Sequence, residues 1–376
     1  MSRTAEYVCR DSMTGKHPDL RVMSASPLVL STPIGLLADD PITDKHRLFV
    51  RNIHDLPACH SLDAPPIDGW EIELAGLIDP AGVVVRAEDL LDMEQVEYEM
   101  VLQCSGNGRS MYGDIPGTPW DQGGLGNVRF SGVPLAAVLA EHGITIDPRV
   151  EFVTAEGRDG PTDPRAPDFE HSLPLADVLE TSILALELNG ESIPGIHGGP
   201  VRLVTPGYFG TMQMKWLSRL RFERTESTAF HHAVEYRVPL HPGGTDDSFR
   251  FTLENSRPTW RIRLMSYLLD PIPGANLSSG RRTIRGVAFN DGSARIDSVL
   301  VSTDRGTTWQ PARLEPAASR YAWHQWTAEL DLQPGTQEIW SRAIDEQGCA
   351  QPLDGRVDWN PNGYEWTGVF KTEVVV

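Results

Sequence analysis

The sequence predicts a β-rich α+β chain in which a mixed α+β domain precedes an immunoglobulin-like β-sandwich. Short alternating stretches typical of strands mix with helical ones between about residues 62 and 240. A Pro-, Gly- and Asp-rich linker (238–247) ends that region, and beyond it only short strand patterns and turn signals occur. We therefore expect an irregular N-terminal arm (1–61), a first domain (62–240) and a sandwich domain (245–376).

The first domain begins near Trp70 with GWEIELAGLI, whose apolar and polar side chains alternate as in a strand. The acidic segment RAEDLLDMEQVEYEM predicts a solvated helix and a turn, and VEYEMVLQCSGNG then predicts a strand that ends at a Gly-rich turn. SGVPLAAVLAEHG predicts a short helix, with Pro134 near its start and Gly143 just past its end. A later helix and strand close on Asn189-Gly190, a pair typical of hairpin turns.

The second domain is predicted from four short strand patterns, RTIRGVAFN, IDSVLVSTD, WHQWTAELDL and QEIWSRAIDE. Seven of the ten tryptophans follow residue 250, as expected for aromatic-rich sandwich packing. In STDRGTTW, Asp304 can bond its own turn backbone, Gly306 supplies a positive φ and Trp309 packs beneath the turn. We interpret this motif as a folding device.

The charge balance excludes some classes of partner. The 376 residues include 33 basic and 52 acidic side chains, a net charge of −19, which argues against nucleic-acid and anionic-membrane binding. Only four of the basic residues are lysines, so 33 − 4 leaves 29 arginines, the residue best suited to gripping oxyanions. No apolar run approaches the ~18 residues of a membrane span, and no secretory signal pattern is present. The expected location is cytoplasmic, or periplasmic if a leader was removed.

Common cofactor motifs are absent from the sequence. It has no GxGxxG, phosphate loop, HExxH or GxSxG. His231-His232 and His54…His60 lack helical metal-ligand spacing and are interpreted as surface or core histidines. The widely spaced cysteines form no CxxC or CxxCH, so the sequence supports neither a zinc ribbon nor a covalently attached c-type haem; they are Cys9, Cys59, Cys104 and Cys349.

The segment LQCSGNGRS is the most informative for chemistry. A strand carries Cys104 to its end, Gly106 and Gly108 allow a tight turn, and Arg109 follows. A cysteine beside an arginine suits a nucleophile or a soft-metal ligand. The alternative is a buried cysteine near a surface arginine.

Cationic donors occur on two other loops. FVRNIHDLP contributes Arg51 and Asn52, and HGGPVRLVTPGYFGTMQMKW contributes His197, Arg202 and Lys215. This set suits an extended phosphate-bearing cofactor held by side chains. The alternative is a scatter of solvated cations.

In order and roughly in spacing, FVRN, VLQCSGNGRS, HGGPVR and MKWL resemble signature segments of the sulfite oxidase family of molybdenum enzymes. The region after residue 245, with its STDRGTTW turn, resembles that family's C-terminal dimerisation domain. The likeness covers about residues 45–376. It implies that Cys104 ligates molybdenum beside the two dithiolene sulfurs of molybdopterin, soft ligands that match one another. The cofactor-binding residues it implies are Phe49, Arg51, Asn52, Cys104, Glu156, His197, Arg202, Gln213, Met214 and Lys215.

The same resemblance implies a two-electron oxygen-atom transfer, with sulfite to sulfate as the leading pair. The catalytic residues it implies are Cys104, Arg51, Arg109, Trp120 and Tyr236. The implied partners are a small oxyanion substrate, a separate electron acceptor of the c-type cytochrome kind and a second copy of the chain. No haem or flavin is expected in this chain.

Three departures from the family pattern bear on the substrate. Ile53 stands where animal members have a histidine, Gly108 replaces the first arginine of a pair, and Pro361 and Asn362 occupy the place of a pocket arginine. An alternative function is therefore the same cofactor acting on another oxyanion or on an S- or N-oxide, as in nitrate or sulfoxide reduction. A third is a non-catalytic binding protein that acts through its sandwich.

Because substrate and cofactor are anions, we expect a positive cavity on a negative protein. The residues expected to supply that charge are Arg51, Arg109, Arg202 and Lys215.

Overall fold

The computed structural model describes residues 15–54, 61–161, 165–241, 246 and 248–376. Cys9, Cys59 and His60 lie outside them. Strands predominate in the described chain, which confirms the β-rich fold class; its two α-helices are α1 (Leu135–Glu141) and α2 (Leu175–Thr181). Both helices are short, and each follows a proline at its N-cap, Pro134 or Pro174.

The described residues of the arm and the first domain form fifteen strands. They are β1 (Arg21–Ala25), β2 (Leu28–Ser31), β3 (Glu71–Gly76), β4 (Ile78–Asp79), β5 (Val83–Arg86), β6 (Val96–Gln103), β7 (Leu125–Pro134), β8 (Thr145–Ile146), β9 (Phe152–Gly157), β10 (Glu170–Pro174), β11 (Ile183–Leu188), β12 (Glu191–Ser192), β13 (Arg202–Val204), β14 (Leu217–Glu223) and β15 (Arg237–Pro239). One five-stranded sheet has the order β10-β9-β14-β3-β5. The other has the order β12-β11-β7-β6, with β13 paired to β11.

Burial along β6 explains how the chain delivers its cysteine to the interior. The first half of β6 is partly exposed, whereas its last four residues are buried, so the strand enters the core as it approaches Cys104. On β3, Ile72 and Leu74 are fully buried while their neighbours are not, which is the alternation expected of a sheet with one covered face. The two sheets share a core that includes Val133, Leu184 and Leu220.

Two expectations about local structure were wrong. The described part of the arm is not irregular throughout: β1 and β2 form a hairpin, and the amides of Leu30 and Val50 each donate to the other's carbonyl at 2.9 Å. Leu48, Phe49 and Val50 are buried, because apolar burial fixes the arm to the domain. The acidic segment forms only a 3₁₀ turn, Ala87–Asp92, since the alternation that follows it already belongs to β6.

The second domain is a sandwich. Its strands are β16 (Ser256–Pro258), β17 (Met265–Asp270), β18 (Gly280–Phe289), β19 (Ile296–Ser302), β20 (Gln310–Pro311), β21 (Arg313–Leu314), β22 (His324–Leu332), β23 (Thr336–Asp345) and β24 (Lys371–Val375). Two four-stranded sheets, β17-β18-β22-β21 and β20-β19-β23-β24, enclose a core that includes Ile284, Val299 and the fully buried Trp326.

The C-terminal segment (residues 355–370) returns to the first domain. Trp366 packs against the Cys104 loop (residues 104–109), where a Cβ added to Gly108 would lie 2.8 Å from the Trp366 Cβ. Tyr112 lies edge-on to Trp366, and its hydroxyl donates to the Tyr364 carbonyl at 3.2 Å. Residues of both domains therefore build the region around Cys104.

No helix among the described residues is long and apolar enough to cross a membrane.

Candidate functional site

A cavity opens where the end of β6, the arm and the loop between β13 and β14 meet. Most of the predicted cofactor-site residues, and Tyr236, line this cavity. They are Phe49, Arg51, Asn52, Cys104, His197, Arg202, Gln213, Met214, Lys215 and Tyr236.

Cys104 is held in the cavity wall by backbone geometry. The Cys104 amide donates to the Gly124 carbonyl at 2.9 Å. A Cβ added to Gly124 would lie 3.2 Å from the Cys104 Cβ, so the two backbones are in close contact. Gly108 adopts a positive φ of 84°, which lets the loop turn four residues after the cysteine. The side chain is a free thiol in a residue only 7% exposed, and it lines the cavity.

Arg51 supplies a cation beside the thiol. Its guanidinium donates to the Asn52 carbonyl. Burial lowers the pKa of Arg51, but the interactions with Tyr236 and Cys104 outweigh that effect and raise the pKa above its ordinary value. Arg51 therefore stays charged at every working pH and can bind an oxyanion.

Tyr236 follows a π-helical turn, His231–Glu235, and also lines the cavity. Its ring stacks on Tyr364 of the C-terminal segment, with ring centroids 5.0 Å apart. Burial raises the pKa of Tyr236 above its ordinary value, although Arg51 opposes this. The phenol therefore keeps its proton and can donate a hydrogen bond into the cavity.

A second group of cations surrounds His197. Arg202 donates to the carbonyls of His197 and Gln213 at 3.1 and 3.2 Å, and Lys215 donates to the Asn52 side chain. Burial lowers the pKa of Arg202 to about 9 and lowers the pKa of Lys215 well below its ordinary value. Because burial disfavours these charges, an anion bound between them would stabilise the site.

The structure does not bring Glu156 to the cavity. Side chains alternate along β9, and Glu156 faces the side on which it bonds Arg219 and Arg221 of β14 at 3.3 and 3.0 Å. The acid that lines the cavity is Asp159, which sequence reasoning missed. The only signal was that Asp159 lies three residues after Glu156 in the segment EGRDG.

Asp159 and Gln213 present acceptors without partners. Asp159 Oδ1 and Gln213 Oε1 are buried and have no hydrogen-bond partner among the described residues. Burial raises the pKa of Asp159 to about 6, and Lys215 opposes that shift. Unpaired buried acceptors are costly, so these atoms are suited to a ligand that carries N–H donors.

Arg109 and Trp120 do not line the cavity. Arg109 donates to the carbonyls of Asn362 and Thr118, both at 3.1 Å, and its guanidinium carbon lies 4.7 Å from the centre of the Tyr364 ring. Trp120 is fully buried and packs edge-on against Phe49 at 5.9 Å. Long-range packing thus places both side chains behind the wall. Of the four expected cations, Arg51, Arg202 and Lys215 line the cavity.

Comparisons with known proteins cover nearly the whole chain. Family models described as "Oxidoreductase molybdopterin binding domain" and "Mo-co oxidoreductase dimerisation domain" match residues 60–231 and 257–376. Mitochondrial sulfite oxidase of Homo sapiens is 30% identical over 360 residues, covering 93% of this chain and 64% of that protein. Sulfite oxidase of Gallus gallus is 30% identical over 365 residues, covering 93% and 76%.

Among solved structures, the sulfane dehydrogenase SoxCD from Paracoccus pantotrophus is similar, with a TM-score of 0.77 and 27% identity. The match covers 95% of this chain and 87% of that one. The chain spans 64% of the length of the mammalian relatives.

Proposed function

The chain belongs to the sulfite oxidase family of molybdenum enzymes, and on that premise we propose that it is a molybdopterin-dependent oxidoreductase acting on a small sulfur oxyanion. The leading reaction is SO₃²⁻ + H₂O → SO₄²⁻ + 2 H⁺ + 2 e⁻. One observation carries the proposal. The cavity is lined by the soft thiol of Cys104, the permanently charged guanidinium of Arg51 and the protonated phenol of Tyr236. The cations around His197, Arg202 and Lys215, line the same cavity.

The cavity residues fit the cofactor. The Cys104 thiolate is the kind of soft ligand that molybdenum accepts beside dithiolene sulfurs. The unpaired acceptors of Asp159 and Gln213 match the N–H groups of a pterin. Arg202 and Lys215 suit its phosphate, because buried cations gain most from an anionic partner.

When bound, the cofactor supplies oxygen-atom transfer and takes up two electrons. Arg51 binds and orients the oxyanion, since its charge persists across the working pH range. Tyr236 donates its hydroxyl proton in a hydrogen bond to a substrate oxygen and keeps that proton, because burial raises its pKa. The rings of Tyr236 and Phe169, whose centroids lie 5.8 Å apart, form an aromatic wall of the cavity that limits where the substrate can bind.

A second candidate is a substrate of lower charge, such as an S- or N-oxide or a sulfane sulfur like that in the name of the similar dehydrogenase. It is favoured by the position of Arg109, which is held behind Tyr364 by the Asn362 carbonyl. Arg51 is then the arginine that meets the substrate, and one cation balances less charge than two.

The proposed assembly is a homodimer formed through the sandwich domain, which the match to a dimerisation domain supports. Electrons would leave singly to a separate c-type cytochrome. Size-exclusion chromatography with light scattering tests the homodimer, and reduction of added cytochrome c tests the electron acceptor.

The function is tested with Cys104→Ser and the exposed free cysteine as a matched control, Cys349→Ser. Protein is produced in a host that makes the cofactor, and its molybdenum content is measured per chain. Sulfite-dependent reduction of cytochrome c is compared with oxidation of reduced viologen by nitrate or a sulfoxide.

We expect stoichiometric molybdenum and sulfite turnover in the wild type and in Cys349→Ser, and background turnover in Cys104→Ser. Turnover with nitrate or a sulfoxide alone would support the second candidate. Metal-free wild type from a molybdate-supplied host, or full turnover in Cys104→Ser, would overturn the proposal.

A further inference from the structure

Lys16 carries a buried ammonium group in contact with His197, which lines the cavity. The residue belongs to the N-terminal arm and is only 7% exposed. Its Nζ lies 2.5 Å from the Lys45 carbonyl, 2.8 Å from the Leu48 carbonyl and 2.7 Å from His197 Nε2. An ammonium group has three protons to donate and no acceptor, so these contacts use all of its donors.

This contact determines which nitrogen of His197 carries a proton. Burial, together with the nearby charges of Lys16 and Lys215, lowers the pKa of His197 well below its ordinary value, so the imidazole is neutral and has a single N–H. The Lys16 ammonium can only donate to Nε2, and the imidazole proton must therefore lie on Nδ1. With Nε2 engaged, Nδ1 is the polar ring atom that His197 has left for the cavity it lines.

The surroundings of His197 also predict how its tautomer would change if the Lys16 side chain were removed. His197 Nε2 lies 3.3 Å from the Lys45 carbonyl, an acceptor within reach of an Nε2–H donor. Without the ammonium group, the neutral imidazole gains most by placing its proton on Nε2 and donating to that carbonyl. Nδ1 would then become an acceptor and would no longer donate into the cavity.

We infer that Lys16 is a positioning residue for cofactor binding, which holds His197 as an Nδ1–H donor beside the buried cations Arg202 and Lys215. The inference rests on the proposed function, because it assigns the phosphate-bearing cofactor as the anion that this donor meets. Lys16 acts through His197 and from a part of the chain far from the Cys104 loop in sequence.

The first test is spectroscopic and needs no cofactor. Cofactor-free protein labelled with ¹⁵N-histidine is examined by long-range ¹⁵N–¹H correlation at pH 6, and His197→Gln assigns the signal. That pH lies below the value of about 7 to which burial lowers the pKa of Lys16, despite the opposing charge of Asp44. We expect the Nδ1–H tautomer in the wild type.

Lys16→Met should change His197 to the Nε2–H tautomer. The matched control is Lys45→Met, because the Lys45 side chain belongs to the same arm but pairs with Glu191 at the surface. An Nε2–H tautomer in the wild type overturns the inference even if Lys16→Met fails to fold. An unchanged tautomer in a folded Lys16→Met protein overturns it as well.

The second test measures retention of the cofactor. Wild type, Lys16→Met and Lys45→Met are purified from a cofactor-producing host, and molybdenum and pterin per chain are followed during dialysis. Loss of one hydrogen bond to an anion lowers affinity by about tenfold or more, so Lys16→Met should lose its cofactor first. If the wild type is loaded and Lys16→Met retains its cofactor equally well, the inferred role of Lys16 is overturned and the proposed function is not. An unloaded wild type overturns the proposed function and this inference together.

Discussion

Tyr236 and Tyr364 stack face to face, with ring centroids 5.0 Å apart and ring planes at 24°. Tyr236 lines the cavity, whereas Tyr364 belongs to the C-terminal segment and also meets the guanidinium of Arg109 at 4.7 Å. The stack thus joins the cavity wall to the C-terminal segment and, through Arg109, to the Cys104 loop. The position of Arg109 follows from this arrangement, because its Nε–H and one Nη1–H donate to the Asn362 and Thr118 carbonyls.

Tyr236→Phe removes the phenolic hydroxyl and keeps the stacked ring. Because burial raises the pKa of Tyr236, its proton is present throughout the working pH range, and we expect kcat/KM for sulfite to fall by about tenfold to a hundredfold at every pH. Steady-state kinetics from pH 6 to 9 measure this, with Tyr98→Phe, in contact with Tyr321, as the control. A pH-dependent loss, or none, would contradict the proposed role.

The substitutions Arg51→Gln and Arg109→Gln should distinguish an arginine that binds the substrate from one that stabilises the fold. Arg51→Gln removes the cation that meets the oxyanion, so KM for sulfite should rise by about tenfold to a hundredfold. Arg109→Gln removes donors to two carbonyls within a buried contact and should cost about 2 kcal/mol of unfolding free energy. Urea unfolding and steady-state kinetics are measured on both variants. A rise in KM for Arg109→Gln as large as that for Arg51→Gln, at full stability, would place Arg109 at the substrate.

Gly108→Ala should destabilise the junction between the domains. Its φ is 84°, and an added Cβ would lie 2.8 Å from the Trp366 Cβ, so strain and overpacking together should cost about 2–4 kcal/mol. Gly143→Ala is the matched control: its φ is 61° and nothing lies within 4 Å of the added Cβ. That variant should cost only about 1–2 kcal/mol, from backbone strain. Equal decreases in the free energy of unfolding for the two variants would mean that the Trp366 side chain moves aside at no energetic cost.

Asp159→Asn should change how stability depends on pH. Burial raises the pKa of Asp159 from 3.8 to about 6, so the folded state binds this proton more tightly than the unfolded state, and stability falls as pH rises through that window. The advantage of Asp159→Asn over the wild type should therefore grow by about 1–2 kcal/mol between pH 5 and pH 7.5 in cofactor-free protein. Urea unfolding at the two pH values measures it, with the exposed Asp331→Asn as the control. A pH-independent difference would mean that Asp159 titrates normally.

Local patterns predicted much of the fold. Asn189 and Gly190 form the hairpin turn between β11 and β12 with φ values of 56° and 80°, and α1 lies between Pro134 and Gly143 as expected. In the STDRGTTW turn, Asp304 accepts from the Thr308 amide at 2.9 Å. Such features depend on residues a few positions apart, so the sequence contains nearly all the information that they need.

The candidate site was predictable where its residues belong to the segments that resemble the family's signature segments. Cys104 stands at the end of β6, and Arg51, His197, Arg202 and Lys215 line one cavity with it. Lys16 and Asp159 gave no such signal. Lys16 acquires its role only because the arm folds back onto His197. Asp159 lines the cavity, whereas β9 directs Glu156 toward Arg219.

By itself the sequence determined the β-rich class, the cysteine at a strand end and the supply of cations on loops, since alternation, turn chemistry and residue type are local properties. Only the tertiary structure decided which of those cations meet the cavity. The C-terminal segment and Tyr364 hold Arg109 behind the wall, whereas Arg51 is packed beside Tyr236. The physical reason is that a side chain's direction depends on which distant segments bury its neighbours and accept its hydrogen bonds.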